Sequence, residues 1–292
     1  MKKALNWTCF LVLMALFVAC ENPYLGDEQP KKKGYRVSFS IDDVVQSYAG
    51  SKSRALVDVG EVCSCLNAAV YQNGEKMTSI NQNKKEKNFG ILSFDLPEGQ
   101  YSLVVIGHSG AKNASMTHAD KVKFDGKVTD TFLYNGTIKV TGDMQQSITL
   151  TRCVAKVVFL FVDPIPENIT HLRFSYTGGS STLDATEGLG CVDSRQTEVR
   201  SIPDEAHHAA SSYAIYTFPK AQEGKIKVVM KALDANEKTL AEETFNALRI
   251  VKNGVNNIPG LCFSSGGGAT ARGIKVKVDD SWATSFETED WE

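Results

Sequence analysis

The chain has 292 residues, 42% of them hydrophobic, with 32 basic and 34 acidic side chains and a formal charge of −2. This length holds two domains of ordinary size, each able to bury a core. A near-neutral balance, with no basic block beyond a short N-terminal run, excludes nucleic acid as a partner.

Residues 1–20 read MKKALNWTCFLVLMALFVAC. Lys2 and Lys3 open a charged region, and residues 10–18 form an apolar run. The run is too short to cross a hydrocarbon core of roughly 30 Å, which takes about 20 residues. An ordinary secretory signal would end in an A-x-A-like site. Here the run ends in Phe17-Val18-Ala19-Cys20, which resembles a lipobox: a bulky residue, a small residue, then the cysteine that receives lipid. The expectation is a lipoprotein signal over residues 1–19 and acylation, palmitate included, at Cys20. A single acyl chain holds only marginally, at about 0.8 kcal/mol per buried methylene; the resemblance therefore implies several chains and lasting attachment to the outer membrane. Residues 20–34 read as a lipidated tether rich in Pro, Gly and Lys. Without the signal the balance is 30 basic against 34 acidic residues, or −4.

Period-two alternation dominates the chain beyond the tether. Tyr35, Val37, Phe39 and Ile41 alternate with Arg36, Ser38 and Ser40, the pattern of a half-buried strand. Residues 57–71 are a further extended stretch, closed by Gln72-Asn73-Gly74-Glu75, where Asn-Gly signals a hairpin. Strands over 90–96 and 100–107 flank the turn Pro97-Glu98-Gly99. Residues 154–162 are almost continuously apolar, as expected of a strand covered on both faces. Leu172, Phe174 and Tyr176 alternate before Gly178-Gly179, and later strands are expected over 213–218, 226–233, 245–251 and 274–278. No stretch has a long helical period. Many short strands with regular turn signals predict an all-β protein built of β-sandwiches. The expected domains are residues 35–150 and 151–292, meeting near Thr151 without a flexible linker.

The enzyme signals are weak. Gly107-His108-Ser109-Gly110-Ala111 resembles a nucleophile elbow, but Ala111 replaces the last glycine and no helix follows. The histidines never take H-E-x-x-H spacing, His207-His208 reads as a solvated loop, and Gly266-Gly267-Gly268 lacks the Lys-Ser/Thr pair of a phosphate cradle. No catalytic residue, metal or cofactor is expected. Cys63, Cys65, Cys153, Cys191 and Cys262 are odd in number and show no repeated C-x-x-C pair. They read as mostly buried free thiols, with Cys63 and Cys65 on one face of one strand.

Several short motifs together resemble fimbrillin-type anchor lipoproteins of type V pili in Bacteroidia-type bacteria. They are Leu150-Thr151-Arg152-Cys153-Val154-Ala155-Lys156-Val157, Asp163-Pro164-Ile165-Pro166, Leu183-Asp184, residues 253–260, and Val278-Asp279-Asp280-Ser281-Trp282. Pro97-Glu98-Gly99-Gln100-Tyr101 looks like the family's turn-and-tyrosine strand. The resemblance implies two tandem transthyretin-like β-sandwich domains and assembly by strand complementation, in which a neighbour's extended segment fills an open groove. It further implies fimbrial stalk or accessory subunits as partners, with host surface or matrix ligands beyond them. Lys52-Ser53-Arg54-Ala55 follows the first strand, so Arg54 is the expected cleavage site in a stalk or tip adhesin subunit. An anchor would stay uncut and offer its C-terminal region, with Ile274, Val276, Val278 and Trp282, as a donor strand. A surface glycan-binding lipoprotein is the reading from another class; beyond Trp7 in the signal it has only Trp282 and Trp291 to offer as sugar platforms.

Overall fold

The computed structural model describes residues 34–45 and 56–263, and their regular structure is almost entirely strand. Cys20, Arg54, Ile274, Val276, Val278 and Trp282 lie outside the described residues. In the first half, β1 (Tyr35–Val45) and the two-residue β2 (Leu56–Val57) precede one helical turn, α1 (Val59–Val62). Then come β3 (Cys65–Gln72), β4 (Glu75–Asn83), β5 (Ile91–Leu96), β6 (Gly99–His108), β7 (Val122–Lys123), β8 (Thr131–Val140) and β9 (Met144–Arg152). The second half holds β10 (Ala155–Phe161), β11 (His171–Thr177), β12 (Thr182–Asp184), β13 (Leu189–Gly190) and β14 (Gln196–Ser201). A short 3-10 turn (Asp204–His207) leads to β15 (Ser211–Thr217), β16 (Glu223–Leu233), β17 (Thr239–Val251) and β18 (Val255–Leu261).

The turn residues do what their chemistry allows. Asn73 and Gly74 both have positive φ, 53° and 84°, as a two-residue hairpin between β3 and β4 requires. The Tyr101 hydroxyl donates to the Pro97 carbonyl at 3.0 Å and latches the β5–β6 turn. Asp58 caps α1 by accepting from the Gly60 amide at 2.7 Å. That turn interrupts the continuous strand expected over 57–71, and Cys63 is the residue that ends it, while Cys65 opens β3. Both thiols are buried, but they do not share one strand.

The two halves follow the same strand path. In the first, β4-β3-β6-β8 is one run of neighbours and β5-β1-β9 another, the runs joining where Phe132 and Leu133 pair with Arg152 and Thr151. In the second, β14-β11-β16-β17 and β15-β10-β18 are the corresponding sheets. Each half has its first strand at the centre of the smaller sheet, parallel to its last strand and antiparallel to a middle one.

Each half closes over its own core. Val37, Phe39, Leu66, Leu92, Leu103, Phe132 and Leu150 belong to the first; Phe159, Leu172, Phe174, Val228, Phe245 and Ile258 to the second. Burying such a side chain stabilises by about 1.5–3 kcal/mol, so these faces dominate the fold. A third cluster, including Tyr71, Val104, Ile106, Met116, Cys153, Leu183 and Phe218, has members on both sides of Thr151. It covers the second face of β3 and β6, which explains why Cys65–Gln72 is buried with no alternation until its last residue. The strand expected over 154–162 is not covered on both faces: β10 alternates buried and half-buried residues, and Val162 is 62% exposed. Its outer face is only partly covered.

Candidate functional site

The slot held by β1 is the feature with the clearest capacity for binding. Val37, Phe39, Ile41 and Val44 point into the first core, and all four are buried. The Phe39 ring meets Phe94 edge-on with centroids 6.4 Å apart. On one side, Tyr35 to Ser40 pair antiparallel with Leu96 to Ile91, and Val44 and Val45 pair with Val57 and Leu56. On the other, Val37 to Val45 run parallel to Met144–Thr151, with an extra residue, Asp42, inserted at a bulge. The bulge flips the parity, so Ile41 and Val44 both face inward.

The outer face of this strand is polar. Ser38 and Ser93 hydroxyls lie 2.9 Å apart, and those of Ser40 and Ser147 3.1 Å apart. The Arg36 amide donates to the Asp143 carboxylate at 2.9 Å. Hydrogen bonds from Ser147 and then Ser40 hold the exposed Asp42 carboxyl below its ordinary pKa. The slot is thus an apolar groove with two backbone edges, filled by a strand of this chain. Residues 46–55, with Arg54, join β1 to β2 and lie outside the described residues.

His108 and Ser109 do not form a nucleophile–base pair. Both ring nitrogens of the buried His108 are engaged: Nε2 donates to Asn67 Oδ1 at 3.1 Å, and Nδ1 accepts from the Gly110 amide at 3.0 Å. Burial pushes the imidazole down to about 4, keeping it neutral at physiological pH. Asn67, hidden in the apolar run of β3, is the hub of this network. Its Oδ1 also accepts from the Ala114 amide at 3.1 Å, and its Nδ2 donates to Asn81 at 2.7 Å and Asn113 at 3.0 Å. Nothing in the sequence singles out Asn67 beyond a polar residue in an apolar strand. The network pins the loop after His108 to β3.

His207 is not a free loop residue as expected; it ends the 3-10 turn with Nδ1 2.8 Å from the Ile165 carbonyl oxygen. No cluster of His, Cys, Asp or Glu among the described residues is arranged to hold a metal. The five cysteines among the described residues are free; Cys63, Cys65 and Cys153 are buried, while Cys191 and Cys262 are exposed. Burial pushes the thiols of Cys63 and Cys153 up to about 12, far from the reactive range.

Three of the resemblance motifs place a polar side chain at a corner or junction. Arg152 bonds Asp130 through Nε at 2.6 Å and Nη2 at 2.9 Å, lies 4.7 Å from the Phe132 ring centroid, and is 2% exposed. The Asp163 carboxylate accepts from the Phe263 amide at 3.1 Å, tying the start of one loop to the end of β18. Asp184 accepts from the Thr186 amide at 2.8 Å and turns β12 into β13.

Among solved structures, the chain is similar to the fimbrial anchor protein Mfa2 from Porphyromonas gingivalis, with 10% identity and TM-score 0.42 over 72% of this chain and 82% of that one. It is also similar to a candidate adhesin from Bacteroides ovatus, with 13% identity and TM-score 0.49 over 75% and 84% of the two chains. A candidate polysaccharide-binding protein from Bacteroides thetaiotaomicron matches with 13% identity and TM-score 0.47 over 71% and 79%. No curated protein matches at the level of sequence. The family model of the fimbrillin-A associated anchor proteins Mfa1 and Mfa2 matches residues 26–258, most of the chain. The chain therefore belongs to the Mfa2 family of fimbrillin-associated anchor proteins.

Proposed function

We propose that this protein is a lipid-tethered pilus anchor, held in the outer membrane through Cys20 and joined to fimbrial stalk or accessory subunits by β-strand complementation. On this reading residues 35–150 and 151–292 are two sandwich domains on a tether of residues 20–34, and the segment with Ile274, Val276, Val278 and Trp282 is the strand offered to a partner. The observation that carries the proposal is the place of β1. It precedes Arg54, stands at the centre of its sheet, and supplies four buried side chains to the core. A strand so placed can either close the domain in cis or, once removed, leave a groove that accepts an extended segment.

An uncut chain keeps its lipid and its own first strand, which suits a fixed base. Cutting after Arg54 would leave β1 attached only through its pairing with β2, β5 and β9, and its loss would convert the chain into a stalk or tip subunit. The glycan-binding alternative finds less support: Leu56, Met77, Ile91, Val162 and Val199 are the large apolar side chains exposed among the described residues, and none is aromatic. No helix among the described residues is long and apolar enough to cross a membrane. N-terminal mapping of the mature surface protein is the test. An acylated Cys20 terminus and co-purification with a stalk subunit are expected; a free Ala55 terminus within pili would refute the anchor role.

A further inference from the structure

The edges of a sheet are templates for unwanted pairing, and folded proteins blunt them with charge, proline, bulges or side-chain caps. Most edge strands here are blunted. β4 opens on Glu75 and Lys76. On β5, Gln82 Nε2 donates to the Ile91 carbonyl at 2.7 Å. On β15, the Arg200 guanidinium donates to the Ala214 carbonyl at 3.1 Å. β14 carries Glu198, an inward charge that is 4% exposed. β17 presents Glu242, Glu243 and Arg249 and is irregular in register. β18 is broken by Pro259 and by Gly260 at φ 75°, beside a shift in its pairing with β10.

β9 is the counterpart of β18 and carries none of these devices. From Met144 to Thr151 it has no charged residue, no proline and no glycine. One of its edges is taken by β1, whereas β8 reaches the other only at Thr151 and Arg152. Among the described residues, no strand pairs with that edge from Met144 to Leu150. The seam beneath it is open: Met144 and Tyr134 are only half-buried against the core, and Gln146 is exposed although it lies in the core-facing row with Ile148 and Leu150.

We propose that the free edge of β9 is a self-pairing surface, on which a second copy of this chain lays its own β9 antiparallel across a two-fold axis. Such an interface is self-complementary, each residue i meeting a residue j whose partner meets i in turn. Centred on Ser147, the pairing sets Gln145 opposite Thr149 and Gln146 opposite Ile148. Core-facing row then meets core-facing row, as the strand pleat demands. Neutral amides and hydroxyls face each other, so no like charges oppose, which is the usual bar to a strand pairing with itself. A single shared strand edge falls in the weak class, below about 1,200 Å². On the proposed lipid tether, confinement to one membrane surface would raise the effective concentration of the copies.

The test uses the mature lipoprotein, in which the signal with Cys9 is gone and the Cys20 thiol is taken up by lipid on the proposed reading, carrying Ser147→Cys, with Cys191→Ser and Cys262→Ser to remove the exposed thiols among the described residues. Opposed Cα atoms in an antiparallel pair lie about 4.5–5.5 Å apart, within disulfide reach. A disulfide-linked dimer is expected under mild oxidation, and a concentration-dependent dimer is expected on sedimentation of the chain without these changes. Adding Gln146→Lys puts an inward charge on the edge and should weaken dimerisation about tenfold or more. Gln145→Lys, with the same charge on the outer face, should leave it within about twofold. Thr78→Cys on the blunted edge of β4, in the same background, should cross-link poorly. A monomer by both measurements, equal effects of the two lysines, or equal cross-linking from β4 would overturn the proposal. So would a different fimbrial subunit protecting the β9 amides while the chain stays monomeric.

Discussion

Phe39 gives the most direct measure of how much of the first half rests on β1. Its side chain is fully buried between the two sheets, beside Phe94 and among Val37, Ile41 and Leu92. Replacing a core phenylalanine by alanine costs about 3–5 kcal/mol, the lost transfer energy plus the cavity left by incomplete collapse. The edge-on ring pair contributes about 0.5–1.5 kcal/mol beyond area. Phe39→Ala should therefore cost about 4 kcal/mol. Arg36→Ala, on the exposed face of the same strand, should stay within about 0.5 kcal/mol, since it is the Arg36 amide that bonds Asp143. Urea unfolding followed by circular dichroism, with m compared between variants, measures both values. The same contrast carries over to the nicked chain. After cleavage at Arg54, Phe39→Ala should release the N-terminal fragment at least about 100-fold faster, because every 1.4 kcal/mol is a factor of ten. Equal costs for Phe39→Ala and Arg36→Ala, or equal release from nicked Phe39→Ala and nicked parent, would refute the packing of β1 and the slot built on it.

Three further outcomes rest on buried polar groups. His108 titrates at about 4 when folded against about 6.5 unfolded, so the unfolded chain binds the proton more readily. Stability should be unaffected above pH 6.5 and fall by about 3 kcal/mol as pH drops from 6.5 to 4, and subtracting the pH profile of His108→Gln isolates this loss. Arg152→Ala strands Asp130 at the junction and should cost about 3–5 kcal/mol, with Arg152→Lys recovering only part, read from denaturant midpoints. Tyr176→Phe removes the hydroxyl that donates to buried Glu198 at 2.6 Å and should cost about 1–3 kcal/mol by thermal or urea unfolding.

What the sequence made legible was local. The alternation of Tyr35, Val37, Phe39 and Ile41 announces a half-buried strand, and Asn73-Gly74 and Pro97-Glu98-Gly99 announce turns, because pleat and positive φ act over a few residues. Asn67 shows where this stops. Its four hydrogen bonds reach residues as far as 47 positions away, and the apolar run around it carries no trace of them. The central place of β1 was equally hidden, since its parallel partner β9 lies about 107 residues on and parallel pairing has no turn to signal it. The continuous apolar character of 154–162 misled for a related reason. Val158 and Leu160 lie on an outer face that is only half-covered, and hydrophobicity alone does not say what lies above a strand.

The shared strand path of the two halves sharpens the reading of the slot. β1 and β10 occupy equivalent central positions, each between a parallel last strand and an antiparallel neighbour. Their attachments differ. β10 follows β9 after only Cys153 and Val154, both buried, and the arginine ahead of it, Arg152, is tied to Asp130 and 2% exposed. A protease seeking a basic residue before β10 would have to unfold the junction, where Cys153 and Val154 belong to the third core cluster, and removing β10 would take Ala155, Val157, Phe159 and Phe161 out of the second core. The residues before Gly34 lie outside the described residues, and so does the basic residue after β1, Arg54, which precedes the pair Leu56–Val57. Two grooves of the same design therefore differ at their connections: the link before β10 is buried and its arginine tied down, whereas the links to β1 lie outside the described residues. On the proposed reading, each chain offers one exchangeable groove, in its first half, and the second half serves as the fixed body from which a donor strand extends.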